Sequence, residues 1–233
     1  MSNYLTLCQK YINLTGITGG TLTSVTNQTG MNLRIVTWIA DADEDIQNTY
    51  VDMKVHRTDT EITLVSGTDE YSLDDLSITD FNRWSRDDFF IDPETNAYAP
   101  LSWFVYEDWL KSSERLGVKV SGTPSRITAK PDGTLVFMDK PNAAKTVWGT
   151  YYKKPTRMTA NTSTSDIPTQ FEMAIIHRAK MFHAEYYEDD PLYVKAERSF
   201  IKVLGELMAN QVPGIDLNTT GAVDPQDSFI EVV

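Results

Sequence analysis

Cysteine occurs once in this 233-residue chain, at Cys8, and histidine three times, at His56, His177 and His183. One thiol closes no internal disulfide, and one cysteine with three scattered histidines is too little for a structural zinc site. Basic residues are also in short supply: 21 Lys and Arg stand against 33 Asp and Glu, a formal net charge of −12. That balance argues against general affinity for nucleic acid or anionic lipid, which needs a cationic surface. No apolar run approaches the roughly 20 residues of a membrane span, so no membrane partner is expected. The opening stretch MSNYLTLCQKYINLTG lacks the basic-then-apolar form of a secretory signal, and a reducing compartment fits the lone thiol. A glycine-rich phosphate loop is missing as well, since Gly19 and Gly20 are not followed by Lys-Ser/Thr. No internal repeat is visible. Neither a cofactor nor a metal is expected.

What remains is ordinary globular composition, 41% hydrophobic and 23% charged, organised around residues 166–211. This stretch reads as two successive helices. Asp166 is the expected N-cap of the first, with Pro168 in its opening turn. Asp189 or Asp190 followed by Pro191 starts the second. Phe171, Ala174, Ile175, Ala179, Phe182 and Tyr186 recur at three- and four-residue steps along the first, and Met173, Ile176, Lys180 and Tyr187 widen that face. Leu192, Ala196, Phe200, Val203, Leu204 and Leu207 do the same along the second. Near the N-terminus, Leu5, Cys8 and Ile12 mark a short helix ending near Gly16. After a polar loop over 19–30, Ile35, Ile39, Ala42, Ile46, Tyr50 and Met53 mark a longer one. Ile39, Ile46, Phe182 and Leu204 are expected in one core, with Cys8 a small buried hydrophobe.

Between these helices the period changes. Residues 61–66 (EITLVS) are strand-like, 74–100 are acidic, aromatic and turn-rich, and 102–117 read as a helix closed by Gly117. A meander is then expected: SRITAK, a turn at Lys130-Pro131-Asp132-Gly133, TLVFMD, a turn at Pro141-Asn142, and TVWGTYYKK. The fold class is α+β. Residues 1–56 and 166–211 form a helical bundle, 57–165 an inserted antiparallel β-rich block, and 212–233 an extended C-terminal arm.

No catalytic motif stands out. Asp41, Asp43, Asp45 and Asp52 match positions of a calcium loop, but its obligatory glycine is replaced by Ile46, and an acidic, solvated helix face is the plainer reading. His177 and His183, six apart on one helix, are expected on different sides. Carboxylate pairs at glycosidase spacing are inevitable among 33 acidic residues and specify nothing. Charge distribution says more. From Val118 to Arg157 there are eight basic residues (Lys119, Arg126, Lys130, Lys140, Lys145, Lys153, Lys154 and Arg157) and two acidic ones, Asp132 and Asp139. This block carries +6 and the remainder −18, so copies can meet head to tail, basic block to acidic block. Lys145, Lys153 and Lys154 opposite Asp87 and Asp88 are the candidate contact residues. The tail 215–233 contains no Lys or Arg and ends in alternating FIEVV, suited to adding a strand or filling small pockets of a partner.

Taken in order, several stretches resemble the head-to-tail adaptor (connector) proteins of tailed bacteriophages. These are WIADADEDIQ (Trp38 to Gln47), the strand leading into GTDEYSL (Gly67 to Leu73), PSRITAKPDGTLVFMDKP (Pro124 to Pro141), YYKKP (Tyr151 to Pro155), and DIPTQF followed by IIHRAKMFHAEYYED. The resemblance implies a structural, non-enzymatic virion protein of the neck, assembled in the host cytoplasm. It implies a homo-oligomeric ring, typically of twelve copies, that joins the portal to tail or neck proteins and extends the channel through which genomic DNA passes without specific binding. Phe229, Ile230, Val232 and Val233 are then the candidate portal-binding residues. The alternatives are an adaptor that also degrades peptidoglycan as a glycosidase, or another neck or tail-completion protein.

Overall fold

The computed structural model describes residues 2–17, 22–50, 52–92, 98–111 and 120–212. The chain divides into two compact units, Met1–Gln47 with Arg157–Val233, and Asn48–Thr156. The architecture is α+β, with helices at both ends of the chain and antiparallel sheets between them. In chain order the helices are α1 (Tyr4–Thr15), α2 (Gly30–Thr49), α3 (Tyr106–Lys111), α4 (Met173–Tyr187) and α5 (Asp190–Gln211).

In the first unit, local signals set the helix ends. Asn3 Oδ1 accepts the Thr6 amide at 2.8 Å to start α1, and Gly16 ends it at φ +66°, its N–H donating to the Ile12 carbonyl. Tyr4, Leu7, Cys8 and Tyr11 are the buried stripe. Cys8 is fully buried, and burial pushes its thiol up to about 12, so it is a packing residue rather than a nucleophile. Asp189 caps α5 by accepting the Leu192 amide at 3.0 Å, with Pro191 in the first turn. Asp166, in contrast, does not cap α4. The chain passes through a 3₁₀ turn, Thr169–Phe171, and α4 begins only at Met173. Glu172 at that junction accepts from the Ser2 N–H and Oγ, at 2.6 and 2.7 Å. Along α4 the wide apolar arc is real: Ala174, Ile175, Ile176, Ala179, Met181 and Ala184 are buried. The expected single core is met at Ile39 and Ile46, which are fully buried, but Phe182 and Leu204 are only half-buried, and α5 buries just Ala196, Leu207 and Gln211.

Among the described residues the second unit has eleven strands, most of them short. They are β1 (Arg57–Leu64), β2 (Glu70–Tyr71), β3 (Phe81–Trp84), β4 (Phe90–Ile91), β5 (Ala99–Pro100), β6 (Ser102–Trp103), β7 (Ser121–Gly122), β8 (Arg126–Ala129), β9 (Leu135–Phe137), β10 (Lys140–Pro141) and β11 (Lys145–Lys153). The turn at Lys130-Pro131-Asp132-Gly133 joins β8 to β9 as the residues require. Gly133 takes φ +89°, its N–H donates to the Lys130 carbonyl, and Asp132 Oδ1 accepts the Thr134 amide. The expected meander stops there. β11 leaves β9 and becomes the central strand of another sheet, paired antiparallel with β1 from Arg57↔Tyr152 to Leu64↔Lys145 on one edge and with β3 and β4 on the other. The second sheet runs β2-β9-β8-β6, while β10 pairs with β7. The helix expected over 102–117 is also corrected. Ser102 and Trp103 form a strand parallel to β8, the described helix is only Tyr106–Lys111, and Gly117 lies outside the described residues. The SWFV run has β-branched and aromatic side chains that fit a pleated, half-buried surface, which overrides its weak helical period.

Both larger sheets contribute to one aromatic core, including Ile62, Trp84, Phe89, Leu135, Phe137 and Tyr151. Gly149 in the middle of β11 is required by it, because a Cβ there would overlap the Phe89 ring. Trp84 Nε1 donates to the Gly133 carbonyl at 2.7 Å, so the buried indole leaves no donor unsatisfied and the hairpin turn is held to β3.

Candidate assembly surfaces

An acidic, solvated face was the expectation for α2; Asp41, Glu44 and Asp45 are about two-fifths exposed, but Asp43 departs from it. Asp43 is 1% exposed and accepts a short hydrogen bond from Ser165 Oγ. Burial, only partly opposed by hydrogen bonds from Ser165 and Gln47, raises its carboxyl to about 6. Its neighbours on the helix are used within the chain too. Arg157 bridges Asp41 Oδ1 at 2.5 Å and Glu44, and Arg178 Nε donates to Asp45 at 2.7 Å. The helix period hid this, because the partners arrive from more than a hundred residues away. Four acidic groups of one helix are therefore committed to closing the first unit, and the charge left for a partner is smaller than the sequence suggested.

The basic block is similarly reduced. Lys130 pairs with Glu70 at 2.6 Å, Arg126 with Asp139 at 3.8 Å, and Arg157 with Asp41 and Glu44; Lys119 lies outside the described residues. Of the candidate contact residues, Lys145 and Lys153 are half-buried at opposite ends of β11, roughly 26 Å apart at strand rise. Lys154 is exposed beside Lys153, and its backbone N–H donates to the Asp80 carbonyl. Asp87 and Asp88 sit in the turn between β3 and β4. Asp87 is exposed, whereas Asp88 accepts from Ser85 Oγ and pairs with Arg57 at 3.4 Å. Lys153 and Lys154 thus form one point of positive charge, and Lys145 another. The arm residues Phe229, Ile230, Val232 and Val233 lie outside the described residues.

One surface was missed by sequence reasoning, and a second lies at the end of the apolar arc expected along the first of the two central helices. On the outward side of the β11 sheet, Phe90, Tyr98 and Trp148 line an open apolar recess of about 380 Å³. Phe90 pairs with Trp148 in register, and the Tyr98 ring stands edge-on to the indole at 4.9 Å. Tyr98 is 67% exposed. Alternation along β11 was the signal, because Trp148 falls on the face opposite to Val147 and Gly149. At the C-terminal end of α4, Tyr186 and Tyr187 are exposed, and Arg34 lies over the Tyr186 ring at 3.9 Å. His183 stacks on Trp38 at 5.1 Å in the same cluster. His177 and His183, expected on different sides of their helix, both border one recess, while the His183 ring packs on Trp38.

These surfaces carry separate apolar and charged points, and the described residues converge no group of three or more His, Cys, Asp or Glu suited to a metal ion. The family model described as SU10 adaptor protein matches residues 2–223. The chain belongs to this SU10 adaptor family. The match takes in both units, so the whole α+β frame is the family's unit, and only Met1 and the last ten residues of the sequence fall outside it. No curated protein matches the chain. An SU10 adaptor is a structural protein of the bacteriophage neck that associates with other head and tail proteins. None of the described helices is long and apolar enough to cross a membrane.

Proposed function

We propose that this SU10 adaptor assembles as a homo-oligomeric ring, of twelve copies, beneath the portal, joins it to tail or neck proteins, and extends the DNA channel. The family match over residues 2–223 is the observation that carries the reading. The net charge of −12 suits a channel through which genomic DNA passes without being held during ejection, because phosphates are repelled rather than bound. Copies meet through Lys145, Lys153 and Lys154 on one side and Asp87 and Asp88 on the other, with Lys154 and Asp87 the best placed of the five since both are exposed. The exposed Tyr186 and Tyr187 at the end of α4 add an apolar anchor to such a contact. The arm 212–233, through Phe229, Ile230, Val232 and Val233, tethers the ring to the portal.

Light scattering at low and high salt, with and without the cognate portal, tests this. Assembly on the portal, weakened by Lys154→Glu and restored when the same preparation also carries Asp87→Lys, is the expected result. A strict monomer that ignores the portal under every condition overturns it. Deleting 213–233 should leave the melting temperature nearly unchanged and reduce retention on portal-bearing capsids; equal retention removes the tether from the arm.

A further inference from the structure

In the helical unit Arg157 and Arg178 are neutralised by carboxylates, and Arg34 lies against an aromatic face. Lys10, Arg198 and Lys202 have no ion pair among the described residues, and the same holds for two lysines that share a site, Lys180 and Lys195, although the chain carries an excess of acid. Both line the same recess of about 190 Å³, formed where α4 and α5 meet the end of α1, together with His177, His183 and Ser199. The charges there work against one another. Burial and then the Lys195 charge hold the Lys180 ammonium below the usual lysine range, and burial and then Lys180 hold His177 down. His183 is lowered by burial, partly opposed by Asp189, and its Nδ1 is buried without a hydrogen-bond partner. From α1 the recess receives Leu14 and Thr15, which bring no charge. Two ammonium groups of like charge at one concave site, Lys180 half-buried and Lys195 exposed, favour an anion between them.

We propose that this recess binds a small, doubly charged oxyanion of the phosphate class. Two ammonium groups match two negative charges, and each neutral imidazole adds one N–H donor to the six of the lysines. A single carboxylate would offset only one lysine and leave the other unbalanced. The site draws on three helices of one unit, so it is complete within one copy. Protons favour it: an anion raises the imidazole pKa values from their lowered positions, so binding takes up protons and tightens as pH falls from 8 toward 6.

The full chain is titrated with inorganic phosphate and, separately, with sulfate, whose charge does not change over that pH range, at constant ionic strength set with chloride. Melting temperature and histidine ring NMR signals are followed. The expected result is a saturable rise in melting temperature and saturating shifts of His177 and His183, with His56 unmoved and tighter sulfate binding at pH 6 than at pH 8. Lys180→Ala with Lys195→Ala should weaken binding at least tenfold, and Lys180→Arg should retain it, which separates lost charge from lost folding. Shifts that never saturate, or that move His56 in parallel, overturn the proposal, as does an undiminished response in the double variant. A short DNA duplex that shifts both histidines where phosphate and sulfate do not would also overturn it and assign the recess to a nucleic-acid contact.

Discussion

The helical unit and the β unit solve the same problem with different materials. The β unit packs large aromatic side chains from distant strands into one core, with Phe89 and Phe137 fully buried and Gly149 kept small so that Phe89 fits. The helical unit has a thinner apolar centre on α5 and closes itself with polar contacts around α2: Ser165 on Asp43, Arg157 on Asp41 and Glu44, and Arg178 on Asp45. Burial is non-directional and tolerates many arrangements, whereas a carboxylate and its donor fix one geometry. The lesson is that the acidic residues of α2, which look like a surface for a partner, also pair with this chain's own return segment and with α4.

The sharpest test of that contrast is a pair of truncations. Phe89→Ala should cost about 3–5 kcal/mol, because it empties a fully buried ring site. Phe182→Ala in the helical unit should cost only about 1–2 kcal/mol, since its ring is half-buried under Arg178, 4.6 Å from the ring centroid. Denaturant unfolding of both variants gives the two values, and equal costs would erase the distinction.

Asp43 gives the next largest effect. Its carboxyl is near 6 when folded and about 3.8 otherwise, so the folded state binds the extra proton between those values. Its contribution to stability is therefore greatest below about pH 4 and is lost as pH rises through about 6. Asp43→Asn keeps a side chain that can meet Ser165 and cannot ionise. The stability difference between the natural chain and this variant should shift by about 1–3 kcal/mol between pH 4 and pH 7, with the variant gaining at the higher pH. A difference that is flat across the window would mean that Asp43 is solvated.

Smallest is Arg157→Ala. All three partners are about two-fifths exposed, so screening limits the loss to roughly 0.5–1 kcal/mol, reduced further by salt. A larger, salt-insensitive loss would make the polar closure as important as the aromatic core and so reverse the comparison.

Sequence by itself determined the two N-terminal and two C-terminal helices, the ends at Gly16 and Asp189, the Pro131-Asp132-Gly133 turn, the burial of Cys8, the α+β class and the family, because all of these rest on residues within a few positions of one another or on their order. Tertiary structure alone decided the rest. It moved the start of α4 from Asp166 to Met173, made a strand of Ser102 and Trp103, and took β11 away from β9 to lie against β1. It buried Asp43 against a serine 122 residues away, and gathered His177, Lys180, His183 and Lys195 from two helices into one recess. A helix is specified by contacts three and four residues apart, so its period is written in the chain. Strand partners, the burial of a charge and the convergence of side chains from separate elements are set by which distant surfaces meet, and no local pattern encodes that.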